Sequence, residues 1–513
     1  MAEAKHSLET RVGQLFIVGI SGKTLTKKTK RKIRDIKPGS IILFSANIKN
    51  AKQLNRLIYD INQYYKKLKL PLPFIGVDQE GGIVTRIKTK PAYPSAKLLG
   101  KIGDADLIRD FSFVHSNILR SLGITMNFSP VLDVSNSKGR DFIGSRAFSS
   151  DPRQVAVFSR AVIEGANSAP ILSTAKHFPG HGGLTTDSHH KLPVLNKSTK
   201  QLEEHDLIPY LELMKNNVLP AIMIGHLSLP KIDSSNFPAS FSKPLITEIL
   251  RKKYNYKGLV ITDDIEMKAS TIVKDPGRRS YMAIEAGVDQ VMIAWNPRSQ
   301  YRSFNYILEK AKSNESFKKL VEDRSKMVSL AKEVYKVNKG SSLLKDYQLK
   351  ALIFNKDLKA LHKKIYKKSQ FKERLLLAEK QFRSKASIVI ISPYRSTYNS
   401  FLKRANKQSV KYFHTSRIKG KNFLARLTKK YPKAFFYIEL NKSRYKPILT
   451  KTNSLHSKNS VIIQSFSEDQ DWPKNLNVLK TYYHISDLST NFANLINEGR
   501  VVASSEKKKR DLD

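Results

Sequence analysis

Cysteine is absent from this chain of 513 residues. Its absence excludes a disulfide scaffold, thiolate-bound zinc, an iron–sulfur cluster and a cysteine nucleophile. Tryptophan occurs only twice, and acidic residues are scarce, since 44 Asp and Glu face 91 Lys and Arg. No apolar run reaches the roughly 18 residues that a membrane-spanning helix needs, and no signal-peptide cleavage pattern follows the N-terminus. We therefore expect a protein that is neither inserted in a membrane nor exported, and that is located in the cytoplasm.

The excess of positive charge is the most unusual property of the composition. A formal net charge of +47 favours a polyanionic partner, such as nucleic acid or an anionic cell-wall or membrane polymer. Residues 351–513 hold 35 basic and 12 acidic side chains, and residues 411–414 and 429–433 interleave aromatic and basic side chains there. Single-strand binders use such stretches, but a solvated lysine-rich surface is the favoured explanation, because no recognised nucleic-acid motif is present. The sequence therefore places any polyanion contact in residues 351–513.

Short apolar runs alternate with amphipathic segments through the first 300 residues. Eight runs indicate parallel strands that are covered on both faces. They are residues 14–20, 40–44, 74–78, 125–133, 171–175, 221–224, 258–262 and 290–294. No glycine-rich dinucleotide fingerprint follows the first run, so the pattern predicts a (β/α)8 TIM barrel rather than an open doubly wound sheet.

A second group of apolar runs lies beyond a Lys-rich helical region and predicts a smaller, basic α/β domain. These runs are residues 386–392, 434–440, 460–464 and 478–483. We predict a catalytic barrel over 1–335, a basic helical linker region over 336–385, the small α/β domain over 386–503 and a polar tail over 504–513.

Polar motifs follow the C-terminal ends of the predicted barrel strands, where (β/α)8 enzymes carry their active sites. Besides Asp133, they are residues 78–82 (DQEGG), 144–148 (GSRAF), 176–183 (KHFPGHGG), 187–190 (DSHH), 225–226 (GH) and 263–264 (DD). Polar core residues scattered at random would not collect at one end of so many strands. The clustering therefore indicates an enzyme.

Several of these residues also allow a purely structural explanation. Asp263 or Asp264 could cap the helix after the seventh strand, a common role for aspartate. Arg86 and Arg146 could be surface residues in a chain so rich in arginine and lysine. These alternatives stay open at the level of single residues.

The histidine-rich segment allows two further explanations. Lys176 and His177 could form a satisfied buried pair at a strand end. A zinc or iron site could use His177, His181, Asp187, His189 and His190. Because Phe-Pro-Gly separates His177 from His181, the helical i, i+4 pair that such sites favour is not expected. We predict no metal and no cofactor.

Taken in order, the motifs resemble the N-acetylglucosaminidase branch of glycoside hydrolase family 3, the NagZ-type enzymes. The matching runs are residues 78–82, 128–133 (FSPVLD), 145–148 (SRAF), 176–182 (KHFPGHG), 187–189 (DSH) and 258–264 (GLVITDD). The resemblance covers about residues 11–300. It implies an exo-acting, retaining β-N-acetylglucosaminidase that removes GlcNAc from anhydro-N-acetylmuramic acid in peptidoglycan turnover fragments. A β-glucosidase or a phosphorylase on the same scaffold is the alternative, and the DSH run favours the N-acetylhexosamine branch.

The resemblance also implies a role for each matching residue. Asp263 matches the nucleophile that forms a covalent glycosyl-enzyme. His189 matches the general acid and base, and Asp187 matches the carboxylate that orients it. The family's sugar-binding positions match Asp78, Arg86, Arg146, Lys176 and His177. No catalytic residue is expected in the C-terminal domain.

Overall fold

A computed structural model of the chain describes residues 6–135, 143–181 and 192–368, five later strands, and Leu427 and Lys430. The chain divides into two compact units. One comprises Met1–Thr89 and Ala96–Leu358, and the other comprises Lys90–Ser95 and Lys359–Asp513. The domain bounds expected from the sequence remain predictions, and the expected polar tail lies outside the described residues.

Eight parallel strands form a closed barrel in chain order, with the last strand paired to the first. They are β1 (Phe16–Gly19), β2 (Ser40–Leu43), β3 (Phe74–Val77), β4 (Met126–Asn127), β5 (Leu172–Phe178), β6 (Ala221–Ile224), β7 (Leu259–Asp264) and β8 (Gln290–Ile293). All strand residues except Asp263 are buried, which explains why these segments read as continuous apolar runs. The predicted (β/α)8 barrel is confirmed, and each predicted run overlaps one strand.

Helices precede the first strand, lie between the strands and follow the last barrel strand. They are α1 (Leu8–Gln14), α2 (Lys27–Ile36), α3 (Ala51–Lys67), α4 (Ala96–Ile102), α5 (Ala105–Leu122), α6 (Pro152–Ser168), α7 (Thr199–Glu203), α8 (Ile208–Lys215), α9 (Pro276–Ala286), α10 (Pro297–Ser313), α11 (Glu315–Val334), α12 (Asp346–Ile353) and α13 (Lys356–Lys368). A π-helix covers Pro244–Lys253, and short 3₁₀ turns complete the connections. Within the described residues, no helix has both the length and the apolar character needed to cross a membrane.

The helix that follows β7 begins with its own cap. Asp275 accepts a hydrogen bond from the backbone N–H of Arg278, and Pro276 occupies the first helical turn of α9. This combination is a common start for a helix, because proline needs no partner for a missing N–H. The alternative role of Asp263 or Asp264 as the cap of this helix is therefore wrong.

The segment after β4 departs from the predicted long strand and lies beside β5 instead. The ladder of β4 covers only Met126–Asn127, and Pro130 has no N–H with which to extend it. The Pro130 carbonyl accepts a hydrogen bond from Lys176, and the N–H of Leu132 donates to the Lys176 carbonyl. This pairing brings Asp133 to the end of β5.

The second unit contains a five-stranded parallel sheet with the order β10-β9-β11-β12-β13. Its strands are β9 (Ser387–Ser392), β10 (Ser409–His414), β11 (Phe435–Leu440), β12 (Ser460–Gln464) and β13 (Val478–Lys480). Parallel pairing agrees with the predicted small α/β domain. The basic and aromatic residues 411–414 belong to the edge strand β10, and their contact with a polyanion stays a prediction.

Candidate active site

A network of buried charges joins the ends of β3 and β5 to the loop that carries Arg146. Lys176 Nζ lies 2.9 Å from Asp78 Oδ1 and 2.6 Å from Glu80 Oε1. Arg146 donates two parallel hydrogen bonds to the Glu80 carboxylate, at 2.8 and 2.9 Å. Arg86 Nη2 lies 3.9 Å from Asp78 Oδ2. Four of the predicted sugar-binding residues therefore lie together, and Glu80 connects two of them.

Mutual attraction keeps Glu80 and Lys176 charged. Burial raises the pKa of Glu80, but Arg146 and Lys176 outweigh it and hold that pKa at about 2. Burial lowers the pKa of Lys176, but Asp78 and Glu80 outweigh it and raise that pKa above its usual value. The side chains of Arg86 and Arg146 are only 27% and 20% exposed, so their alternative explanation as surface residues is wrong.

A second buried group lies at the end of β5. Asp133 Oδ2 is 2.7 Å from His177 Nδ1, and Asp133 Oδ1 accepts a 2.7 Å hydrogen bond from the backbone N–H of His181. The N–H of Gly180 donates to the His177 carbonyl, and Gly180 has a φ of 123°, which favours glycine. This turn places the two imidazole rings 4.9 Å apart, although they are not on a helix.

The protonation of this group follows from its burial and its partners. Burial raises the pKa of Asp133, but His177 outweighs it, so that this pKa lies well below its usual range. Burial and the neighbouring His177 lower the pKa of His181 to about 4. The group therefore holds an ionised carboxylate and, at neutral pH, a neutral His181 imidazole.

The pKa values of two adjacent carboxyl groups at the end of β7 are shifted in opposite directions. Burial raises the pKa of Asp263, but His177 and the backbone N–H of Asp264 outweigh it, and this pKa lies below its usual value. For Asp264, burial dominates and raises the pKa to about 7. Asp263 is thus the ionised carboxylate, and it is also the more accessible of the two.

A buried histidine two residues after β6 completes the described part of the site. His226 Nε2 lies 2.9 Å from the Asp264 carbonyl oxygen, and its Nδ1 lies 2.8 Å from Ser240 Oγ. Burial lowers the pKa of His226. This neutral ring supports the end of β7 and hence the position of Asp263.

Three described side chains have donor atoms close enough to share a metal ion. Ligand atoms of Asp133, His177 and His181 all lie within 4.8 Å of one another. Carboxylate and imidazole suit zinc. In this geometry, however, Asp133 Oδ2 and His177 Nδ1 already bond to each other at 2.7 Å. Of the five residues considered for a metal site, Asp187, His189 and His190 lie outside the described residues.

Most of the predicted site residues lie at this end of the barrel. Asp78, Arg86, Arg146 and Lys176 form the charged network, while His177 and Asp263 belong to the two groups beside it. In line with the alternative that Lys176 and His177 are a satisfied buried pair, both are buried and bonded, although each bonds to a carboxylate and not to the other. The predicted acid His189 and its partner Asp187 lie outside the described residues, so their roles stay predictions.

Comparison with known proteins agrees with this geometry. Residues 7–330 match the model of the glycosyl hydrolase family 3 N-terminal domain. The chain belongs to glycosyl hydrolase family 3. The predicted family and the prediction of an enzyme are confirmed: the chain is a glycoside hydrolase, and its family 3 domain is the barrel.

Several known proteins are similar to this chain. A protein named Beta-hexosaminidase from Bordetella avium is 35% identical over 289 residues, which are 55% of this chain and 80% of the relative. A NagZ from Neisseria gonorrhoeae, solved in complex with N-trifluoroacetyl-D-glucosamine, is 27% identical with a TM-score of 0.50, covering 61% of this chain and 98% of that one. The match to a β-N-acetylglucosaminidase from Paenibacillus sp. covers 89% of this chain and 90% of that one. Its identity is 23% and its TM-score is 0.74, which shows a shared fold.

No catalytic or sugar-binding role was predicted from the sequence for four residues of the site. Glu80, Asp133, His181 and His226 all lie in motifs at the C-terminal ends of strands. Their position at strand ends indicated that they belong to the site, but the sequence did not show which residues they contact. Only the closed barrel shows that Glu80 pairs with Arg146 and that Asp133 pairs with His177.

Proposed function

We propose that this family 3 enzyme is an exo-acting β-N-acetylglucosaminidase that retains the anomeric configuration. The proposal is carried by the position of Asp263. This ionised, partly accessible carboxylate lies at the C-terminal end of the barrel strands (called the open end below), beside the charged network. The name of the Bordetella relative and the sugar analogue bound by the Neisseria NagZ support an N-acetylhexosamine in this site.

The charged network supplies the groups that hold a single sugar. Carboxylates such as Asp78 accept hydrogen bonds from paired hydroxyls, whereas Arg86, Arg146 and Lys176 donate to hydroxyl and acetamido oxygens. Because these donors are already oriented by Asp78 and Glu80, little side-chain freedom is lost when the sugar binds. A terminal GlcNAc residue fits such a polar pocket.

The reaction proceeds in two displacements. In the first, an Asp263 oxygen attacks the anomeric carbon, the bond to the leaving oxygen breaks, and His189 gives its proton to that oxygen. In the second, His189 removes a proton from water, the water oxygen attacks the same carbon, and the Asp263 ester opens. Asp187 orients the His189 ring in both steps. Two inversions at one carbon give net retention.

The nucleophile is tested by replacing Asp263 with alanine. Release of p-nitrophenol from its β-GlcNAc glycoside should fall by at least about 10³-fold. Added azide should restore turnover and form the α-glycosyl azide, because azide fits the space left by the carboxylate. Asn replacement of Asp275, the partly exposed cap of α9, is the matched control and should keep the wild-type rate. Near-normal turnover of the alanine variant would contradict the assignment.

The acid is tested by replacing His189 with alanine. The rate should fall by about 10²–10⁴-fold for a methyl glycoside, whose leaving group needs a proton. A 2,4-dinitrophenyl glycoside should lose much less, because its leaving group needs no proton. Equal losses on the two substrates would contradict a role as general acid.

The natural substrate and the type of reaction need separate assays. We propose GlcNAc linked to anhydro-N-acetylmuramic acid in peptidoglycan fragments, released by hydrolysis in the cytoplasm. Mass spectrometry of fragments treated with the pure protein should show free GlcNAc. A faster rate on β-glucosides would indicate a glucosidase, and a sugar phosphate formed with added phosphate would indicate a phosphorylase. Cell fractionation tests the location.

A further inference from the structure

Two aromatic side chains stack on each other at the open end of the barrel, outside the groups described so far. Phe44 follows β2 directly, and Trp295 comes two residues after β8. Their ring centroids are 4.1 Å apart and their planes are inclined by 29°. Trp295 is 60% exposed, whereas tryptophan is highly buried on average in folded proteins. Phe44 therefore covers part of the indole while most of it stays open to solvent.

The backbone that carries Trp295 is anchored beside the proposed nucleophile. The N–H groups of Trp295 and Asn296 both donate to Glu266 Oε2, at 3.1 and 2.9 Å. The N–H of Ala294 donates to Asp264 Oδ1 at 3.3 Å. Since Asp264 directly follows Asp263, the loop of Trp295 is tied to the loop of the nucleophile. The backbone of Trp295 is thus held in place before any ligand binds.

The strand order places this aromatic pair on the rim between the two halves of the sugar site. β8 lies next to β7, which carries the proposed nucleophile as its last residue but one, and β2 lies next to β3, which leads to Asp78. The charged groups are deeply buried, with Lys176 only 3% exposed at its side chain. A sugar that enters that pocket leaves the rest of its chain at the more exposed rim.

We propose that Trp295, backed by Phe44, binds the first sugar ring of the leaving group. The inference rests on the proposed function and extends it to the second ring of the substrate. A pyranose carries C–H groups on its faces and hydroxyls around its edge. An exposed indole offers the flat apolar surface that such a face needs, while the hydroxyls around the edge of the sugar stay hydrated. Trp295 would then set the preference for saccharide over small leaving groups.

The test replaces Trp295 with alanine in the full chain and compares two substrates. For chitobiose, which has a sugar as leaving group, kcat/KM should fall about tenfold. For methyl β-GlcNAc, and for inhibition by free GlcNAc, the values should stay within about twofold of wild type. Trp295→Phe should restore most of the loss, and Tyr347→Ala, an equally exposed aromatic residue on α12, should change nothing. Equal loss on both substrates, or no loss on chitobiose, would overturn the proposal.

Fluorescence separates this proposal from the proposed function. The only other tryptophan, Trp472, lies outside the described residues, and Trp472→Phe leaves Trp295 as the single indole. In a chain that also carries Asp263→Ala, chitobiose should change Trp295 emission saturably, and GlcNAc alone should not. A wild-type chain that cleaves neither substrate overturns the proposed function. An unchanged emission overturns the proposed contact between Trp295 and the sugar ring of the leaving group.

Discussion

Arg146 and Glu80 form a buried, bidentate ion pair across 66 residues of sequence, with Arg146 Nε and Nη2 donating to the two Glu80 oxygens. Two parallel bonds fix the plane of the guanidinium as well as its position. Lys176 approaches the same carboxylate at 2.6 Å. Glu80 is thus the common support of two proposed sugar donors, and its charge offsets both of theirs.

Replacement of Glu80 by glutamine should lower kcat/KM on the p-nitrophenyl β-GlcNAc substrate by about 10–100-fold. The physical reason is that an uncharged amide leaves Arg146 and Lys176 with one negative partner fewer, and a lost charge-assisted bond costs about 1.5–3 kcal/mol. Most of the effect should be on KM, because sugar binding needs the donors oriented. Glu203→Gln, which changes a carboxylate on α7 that bonds Lys253 and Tyr254, is the matched control. Equal effects of the two variants would contradict this role.

Replacement of Asp133 by asparagine should lower kcat by about 10-fold or more while the chain stays folded. Asp133 accepts from His177 and from the N–H of His181, and the variant exchanges one acceptor oxygen for a donor. A buried group left without its partner costs about 1–3 kcal/mol. Steady-state kinetics on the same aryl glycoside, with circular dichroism to verify the fold, provide the measurement. An unchanged kcat would show that His177 needs no such support.

A buried lysine at the opposite end of the barrel makes stability depend on pH. Lys332 on α11 donates to Gln14 Oε1 at 2.6 Å, and burial lowers its pKa to about 7. Between about pH 7 and pH 10 the unfolded chain binds this proton and the folded chain does not, so the free energy of unfolding rises with pH, by at most about 1.4 kcal/mol per unit. Below about pH 7 that stability is absent.

Urea unfolding of the barrel at pH 7 and pH 9 tests this effect. The wild-type midpoint should be higher at pH 9. Lys332→Met should remove the increase, because it leaves no group to deprotonate. Lys326→Met, an exposed lysine on the same helix, should behave as wild type. An increase that survives in the Lys332 variant would assign the pH dependence to another group.

Treatment with EDTA should leave the hydrolysis rate unchanged. Asp133 Oδ2 and His177 Nδ1 are two of the potential metal-donor atoms, and they are engaged with each other. Neither proposed displacement uses a Lewis acid. The measurement is the rate on the aryl glycoside before and after dialysis against the chelator. A loss that added Zn²⁺ reverses would show that the Asp133–His177–His181 group binds a required metal.

Local patterns were enough to predict the barrel and the end at which the polar side chains collect. A parallel strand covered on both faces must be apolar throughout, so all eight strands were visible as runs such as residues 40–44. The prediction of one long strand over residues 125–133 was wrong, because this segment contains only a two-residue strand. Pro130 lacks the N–H that a longer ladder requires.

The sequence by itself determined the barrel, the family and the identity of the charged residues, because these depend on periodicity and on motifs read along the chain. Only the tertiary structure decided the partners. Barrel closure brings Glu80 to Arg146, Asp133 to His177, and Phe44 to Trp295, residues that lie far apart in sequence. Burial then decides which carboxyl of the Asp263–Asp264 pair stays ionised. Side-chain contacts and local dielectric are properties of three-dimensional packing, and no linear motif encodes them.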